Sequence, residues 1–210
     1  MDRQGILIIV SGFSGAGKGT IMKELTARYE QYALSVSATT RQPRPGEEEG
    51  REYFFRTQEQ FEQMIAGGEL IEYACYVNHY YGTPRAYVEE QLDKGRDVIL
   101  EIEIQGARKV KKQYPDAVLL FVMTKDIPTL MERLRGRGTE SPEVIAERLR
   151  RAATEAAGIE EYDYLIVNDD LNACVEQVHS IIECEHEKVV HNREKIARIR
   201  AELEDLVKGE

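Results

Sequence analysis

Apolar residues follow two rhythms along this chain. The first is the short unbroken run, and Ile6-Leu7-Ile8-Ile9-Val10 opens it. Such a run is too short for a helix core and rich in β-branched residues, so it predicts a strand buried on both faces of a parallel sheet. Val98 to Ile104, Val118 to Met123 and Tyr164 to Val167 repeat the pattern. They predict roughly four core strands alternating with helices, an α/β class. In the second half of the 98–104 run polar and apolar positions alternate. Glu101 and Glu103 are therefore expected on one face near the strand's carboxyl end, where open parallel sheets bind ligands. Between core strands, Leu34 to Ser37, Tyr53 to Phe55 and Leu70 to Ala74 read as extended, and Asn78 to Gly82 as a turn. Gln58 to Ala66 reads as a helix stopped by Gly67-Gly68. Thr83-Pro84 reads as a hydroxyl cap and first-turn proline of a helix ending at Gly95.

The second rhythm is helical. Leu171, Val175, Val178, Ile182, Val189, Ile196, Ile199, Leu203 and Leu206 recur at spacings of four, three and seven, with Glu185 and Asn192 interrupting the seam. One long helix is expected. Before Glu185 the stripe suits packing on its own domain. Past Val189 it suits either that or a self-associating arm, and a homo-oligomer through this helix stays open.

Composition narrows the partners. At 210 residues, with a formal net charge of −10 and a pI near 5.1, the chain suits one compact domain without a broad basic face, which argues against general nucleic-acid binding. Any phosphate site must be local, so clustered arginines carry information. Cys75, Cys174 and Cys184 have no metal-like spacing and suit a reducing compartment. A zinc set from Cys174, His179, Cys184 and His186 would scatter around a helix instead of sharing a face. No leader or membrane-spanning run is read, and the expected location is cytoplasmic.

The candidate chemistry lies between the first strand and the pattern Ile21-Met22-Lys23-Glu24-Leu25. Gly12-Phe13-Ser14-Gly15-Ala16-Gly17-Lys18-Gly19-Thr20 there forms a glycine-rich turn leading into a helix. That context is the one a phosphate-binding loop requires. Glycines let successive N–H groups turn toward an anion, the helix N-terminus adds partial positive charge, and Lys18 can reach terminal phosphates. The generic motif puts Ser or Thr directly after the lysine, as a magnesium ligand. Here Gly19 takes that place and Thr20 follows, so the ion is expected to be held mainly by phosphates and water, with Thr20 as the one candidate ligand.

Eight stretches, in order, resemble a guanylate kinase: GFSGAGKGT, SVSATTRQPRPGE, REYFF, LIEYA, NHYYGTP, LEIEIQGA, RLRGRGTE and YDYLIVND. The resemblance runs to about Cys184. It implies a P-loop, three-layer, parallel-sheet core (1–34, 92–125 and 158–184) with a GMP-binding lobe at 35–91 and a lid at 126–157. Residues 185–210 would be a helical extension. It implies phosphoryl transfer from ATP to GMP, with magnesium, in purine nucleotide metabolism and GMP recycling, with dGMP as an expected alternative acceptor. Gly12 to Thr20 and Asn168 would hold ATP. Ser37, Arg41, Arg44, Tyr53, Glu72, Tyr81, Thr83, Glu101 and Glu103 would surround GMP. Lys18, Arg41, Arg133, Arg137 and Arg148 would act on the phosphoryl groups. Against the family's commonest pattern, Glu101 and Glu103 replace aspartates, Thr83 a serine, Phe13 a proline, and Met123-Thr124 two prolines.

The residue types suit those roles on physical grounds as well. Guanine offers two adjacent donors, N1–H and the 2-amino group, which a carboxylate such as Glu72 matches with two acceptors; adenine would leave that charge unpaired. Ser37 and Thr83 can donate toward guanine O6 or N7. Arg41 and Arg44 with Tyr53 and Tyr81 offer two forks and two phenols to a phosphate. Another monophosphate kinase and a non-catalytic binding module are the rivals. Glu72, Ser37 and Thr83 speak against the first, and the intact lysine loop against the second.

Overall fold

The computed structural model describes residues 4–76, 78–136 and 142–208. In chain order its elements begin with β1 (Leu7–Gly12), α1 (Lys18–Arg28), β2 (Tyr32–Leu34), β3 (Ser37–Thr39) and β4 (Tyr53–Phe55). Then come α2 (Gln58–Ala66), β5 (Leu70–Tyr76), β6 (His79–Pro84), α3 (Arg85–Asp93), β7 (Asp97–Glu101) and α4 (Ile104–Gln113). The chain continues through β8 (Val118–Met123), α5 (Ile127–Gly136), α6 (Pro142–Ala156), β9 (Tyr164–Val167), α7 (Leu171–His186) and α8 (Arg193–Lys208).

Five strands form the core sheet in the order β2-β7-β1-β8-β9, and every pairing in it is parallel. Its central strand shows why β1 reads as a continuous apolar run. Ile8 and Val10 enter one core cluster with Ile21, Met22 and Leu25 of α1 and Val175 and Val178 of α7. Leu7 and Ile9 point the other way, into a second cluster with Val88 of α3 and Ala107 and Val110 of α4. Helices cover both faces, so the sheet is the middle of three layers. A smaller sheet, β4-β3-β6-β5, is mixed: β3 and β4 run parallel, while β6 is antiparallel to both β3 and β5.

Several sequence expectations change here. The single strand expected at Leu34 to Ser37 is two: β2 ends at Leu34 in the core sheet and β3 starts at Ser37 in the other. That break takes the chain from one sheet to the other, and it makes five core strands instead of four. The expected turn at Asn78 to Gly82 is confined to its first residue. Asn78 adopts φ 62, and β6 begins at His79. Thr83 does not cap a helix; it lies in β6, and Pro84 precedes α3 with no side-chain cap. β7 stops at Glu101, and Glu103 stands at the N-cap of α4, so the two carboxylates do not share a strand face. By contrast, α2 starts and stops as read, with a capping box from Thr57 and Gln60.

The long terminal helix is broken. Residues 189–192 form a 3-10 turn between α7 and α8. Glu185, which interrupts the apolar seam, causes the break to be held: it is buried, accepts from Tyr164 Oη, and pairs with Lys188 at 2.6 Å and His191 at 3.6 Å. At the next residue, His186 Nε2 lies 2.8 Å from buried Asp97 Oδ1, which also accepts from the Ile6 amide. The four groups considered for zinc are dispersed. Cys174 Sγ donates to Val167 O, His179 meets Tyr32 Oη, His186 meets Asp97, and Cys184 is exposed. The acidic run Glu47-Glu48-Glu49 is tied down: Glu47 pairs with Arg41 and Glu49 with Arg56.

Candidate active site

The loop between β1 and α1 is built by close approach. Gly17 is left-handed at φ 93 and caps α1, and a Cβ there would come within 2.4 Å of Asn168 Nδ2. Gly12 at φ 150 would drive a Cβ to 2.0 Å from Val122 O on β8. Only glycine lets the backbone pass at these two points. From beneath, Asn168 Nδ2 donates to Ala16 O at 2.7 Å, and Arg133 donates to Ala16 O at 3.3 Å and Asn168 O at 2.9 Å. Lys18 Nζ folds over the loop, donating to Gly12 O at 2.8 Å and Phe13 O at 3.3 Å. Arg148, on α6, contacts Ser14 Oγ. A glycine-rich loop at a helix N-terminus, with three cations against it, can hold a polyphosphate.

A cavity of about 550 Å³ opens beside this loop, lined by Gly12, Ser14, Lys18, Arg148, Glu101 and Glu103 among others. A second, of about 390 Å³, lies toward the small sheet and is lined by Ser37, Tyr53, Glu72, Tyr81 and the same Glu101 and Glu103. The two carboxylates therefore stand between the cavities. Glu101 leans to the loop side, where a Cβ on Gly19 would meet its Oε2 at 3.6 Å. Its pKa is raised by burial and partly restored by Lys18. Glu103 pairs with Arg151, which also reaches Glu155 at 3.2 Å.

In the second cavity Glu72 is 9% exposed and its Oε1 accepts from Thr83 Oγ1 at 2.9 Å. Burial pushes its pKa up; the Thr83 hydroxyl and the Lys109 charge oppose that, and Glu103 adds to it. Helix α4 can come this near because Gly106 has no side chain: a Cβ would lie 3.3 Å from Glu72 Oε2. Near the mouth, Arg41 lies over the Tyr53 ring at 5.2 Å, and the Tyr53 and Tyr81 rings meet at 6.0 Å. Glu47 holds Arg41 at 2.9 Å and accepts from the Arg44 amide at 2.8 Å, and both contacts keep its carboxyl below the usual range. Arg44 itself is exposed.

The fold thus brings Lys18, Arg133, Arg148 and Asn168 to the loop, and Ser37, Arg41, Tyr53, Glu72, Tyr81 and Thr83 to the other side of the cleft. Thr20 is exposed on the first turn of α1. Arg137 lies outside the described residues. Sequence reading missed Glu47, Lys109 and Arg151. Only Glu47 had a local signal, sitting in the same arginine- and proline-rich segment as Arg41 and Arg44.

A parallel sheet with a lysine-bearing phosphate loop after its central strand, facing a second polar cavity across a carboxylate pair, defines a P-loop nucleotide phosphotransferase. The family model described as guanylate kinase matches residues 4–185, and the chain belongs to the guanylate kinase family. It is 54% identical over 190 residues to a guanylate kinase of Streptococcus thermophilus, covering 90% of this chain and 91% of that one. A Streptococcus pneumoniae guanylate kinase is likewise 54% identical over 187 residues, covering 89% and 90%. The crystal structure of guanylate kinase from Anaplasma phagocytophilum superposes with a TM-score of 0.70 at 34% identity, over 90% of this chain and 89% of that chain. The chain is a nucleoside monophosphate kinase by this membership.

Proposed function

We propose that this protein transfers the terminal phosphoryl group of ATP to GMP, giving ADP and GDP. One observation carries the reading: a buried carboxylate, Glu72, lies in a cavity that meets the phosphate-loop cavity at Glu101 and Glu103. The lobe spanning 35–91 then binds the acceptor, and 126–157 forms a lid over the donor. Gly12 to Thr20 cradles ATP, with Asn168 fixing the loop's underside.

The acceptor is already a phosphate anion, so no strong general base is needed; in-line positioning and charge neutralisation carry the rate. Lys18, Arg133, Arg137 and Arg148 neutralise the transferring group. Arg41, with Arg44, Tyr53 and Tyr81, holds the GMP phosphate, and Glu47 keeps Arg41 extended over Tyr53 until that phosphate arrives. Glu72, Ser37 and Thr83 read guanine. Magnesium would be held mainly by the donor phosphates and water, with the Thr20 hydroxyl as the candidate protein ligand, and would neutralise those phosphates. Glu101, which lines the loop cavity, supplies a hard carboxylate facing it. dGMP is expected as a second acceptor. We also assign the protein to the reducing cytoplasm, on three unpaired cysteines; no helix among the described residues is long and apolar enough to cross a membrane.

We further propose that α8 pairs with a second copy of itself. Ile199, Leu203 and Leu206 are exposed along one seam, beyond the 4–185 span of the family match. The first half of the helix carries Arg193, Lys195, Arg198 and Arg200 against Glu194, the second Glu202, Glu204 and Asp205 against Lys208, so the halves are net basic and net acidic. An antiparallel pair sets basic half against acidic half and layers Ile196 on Leu206 and Ile199 on Leu203. Ending the chain after Val189 should halve the mass seen by light scattering and leave turnover intact. An unchanged mass would reduce α8 to an appended helix.

The reaction is tested by coupled ADP release with ATP and magnesium, comparing GMP, dGMP, AMP, UMP and no acceptor. Turnover with GMP and dGMP alone is expected. Preference for AMP or UMP would overturn the base assignment, and no turnover in GMP-binding protein would favour a binding module.

A further inference from the structure

The base cavity holds one cation that the proposed chemistry does not use. Lys109 lines it together with Glu72 and Gly106. Gly106 and Lys109 are three residues apart on α4 and so share a face, and a Cβ at Gly106 would lie 3.3 Å from the Glu72 carboxylate. Lys109 Nζ is held over this side of the helix by Tyr73, whose carbonyl accepts from it at 3.3 Å and whose ring lies 5.4 Å away. Tyr73 is the residue next to Glu72 on β5, so the ammonium, though exposed, is tethered to the strand that carries the carboxylate and its charge acts on Glu72.

We propose that Lys109 is a specificity-determining positioning residue, whose ammonium keeps Glu72 in its charged form and so keeps the cavity selective for guanine over adenine. This rests on Glu72 being the base reader. An ionised Glu72 accepts from both guanine N1–H and the 2-amino group. A protonated Glu72 has a single O–H to offer, which opposes guanine N1–H and instead suits the adenine N1 lone pair. Burial disfavours the ionised form, and so does Glu103 at the N-cap of α4. Thr83 on β6 supplies one hydrogen bond against this, which leaves the one nearby positive charge to do the rest. The other titratable groups lining the cavity are Tyr53 on β4, Tyr73 on β5, Tyr81 on β6 and Glu101 at the end of β7. A phenol carries no positive charge and Glu101 adds negative charge, so neither compensates for a lost lysine.

The test is the pH dependence of KM for GMP and AMP in the full chain and in Lys109→Met, Lys109→Arg and Glu72→Gln. Lys109 is exposed, so its substitutions should fold. In Lys109→Met the acid rise in KM for GMP should begin about half a pH unit or more higher than in the parent, with kcat at saturating GMP within about twofold. The GMP-over-AMP preference of that variant should narrow at acid pH and recover toward neutrality. Lys109→Arg should restore the parent profile, because it keeps the charge. An unshifted acid limb in Lys109→Met, or a KM rise equal at every pH, would overturn the role of the charge, as would an arginine variant that behaves like the methionine one. Glu72→Gln separates the two readings. If it abolishes the preference for GMP while Lys109→Met changes nothing, only this inference fails; if it leaves the preference intact, the base assignment fails with it.

Discussion

Lys18→Met is expected to abolish nearly all turnover, by about 10³-fold or more in kcat, while GMP binding changes by no more than a few-fold. In the structure Lys18 Nζ donates to the Gly12 and Phe13 carbonyls at the start of the phosphate loop. An ammonium resting there can swing onto the terminal phosphates when a nucleotide enters, and it stabilises charge that spreads over the transferring group. Methionine keeps the length and the helix propensity of the position but has no charge to offer. The fold should survive, because the loop is held from beneath by Asn168 and Arg133 and by the apolar anchors Ile21, Met22 and Leu25. GMP binding, measured by calorimetry, should survive because its proposed contacts lie across Glu101 and Glu103 in the other cavity. Full activity in this variant would remove the loop from the mechanism.

Glu72→Gln should lower kcat/KM for GMP by about 10²–10³-fold and narrow the GMP-over-AMP ratio by at least about tenfold. The amide replaces one acceptor oxygen by an NH2, which meets the guanine donors head-on. The packing cost should be small, since the amide oxygen can still accept from Thr83 Oγ1 and a buried charge is lost. The pH profile supplies the sign. Burial raises the Glu72 pKa, so as pH falls the ionised, guanine-matching form is lost earlier than an ordinary carboxylate would lose it. The parent should therefore show KM for GMP rising on the acid side, and Glu72→Gln should lack that limb. An unchanged GMP/AMP ratio would refute the assignment.

How much of this was legible without coordinates depends on how local the cause is. The phosphate loop, its flanking strand and helix, the capping box at Thr57 and the glycine stop of α2 all depend on neighbours in sequence, and they fold as their residues predict. The sheet change after Leu34 did not show, because two short strands separated by two residues look like one in a hydropathy pattern. The Glu101 and Glu103 pair misled for a related reason. Alternation continues through Ile102 and Ile104, yet the Ile102 amide bonds Val10 O as β7 ends and α4 begins at once, turning Glu103 to a new role at a helix start.

What this sequence determined by itself was the chemistry it carries: a lysine in a glycine-rich turn, arginines among prolines in an acidic chain, and a carboxylate with hydroxyls suited to guanine. The loop and the arginine segment follow from residue type and spacing of a few positions, where backbone geometry is nearly independent of the rest of the fold. The grouping of Glu72 with Ser37 and Thr83, far apart in the chain, is what the family resemblance implies, and residue chemistry only suits it. Tertiary structure alone decided the environment of each group. It buried Glu72 by packing α4 against β5 through Gly106, and it set Lys109 and Glu103 near it from distant positions in the chain. It drew Glu47 onto Arg41, and it broke the terminal helix where Glu185 found Tyr164 and Lys188. Such pairings depend on distances through space between elements far apart in sequence, and charge and burial act through those distances.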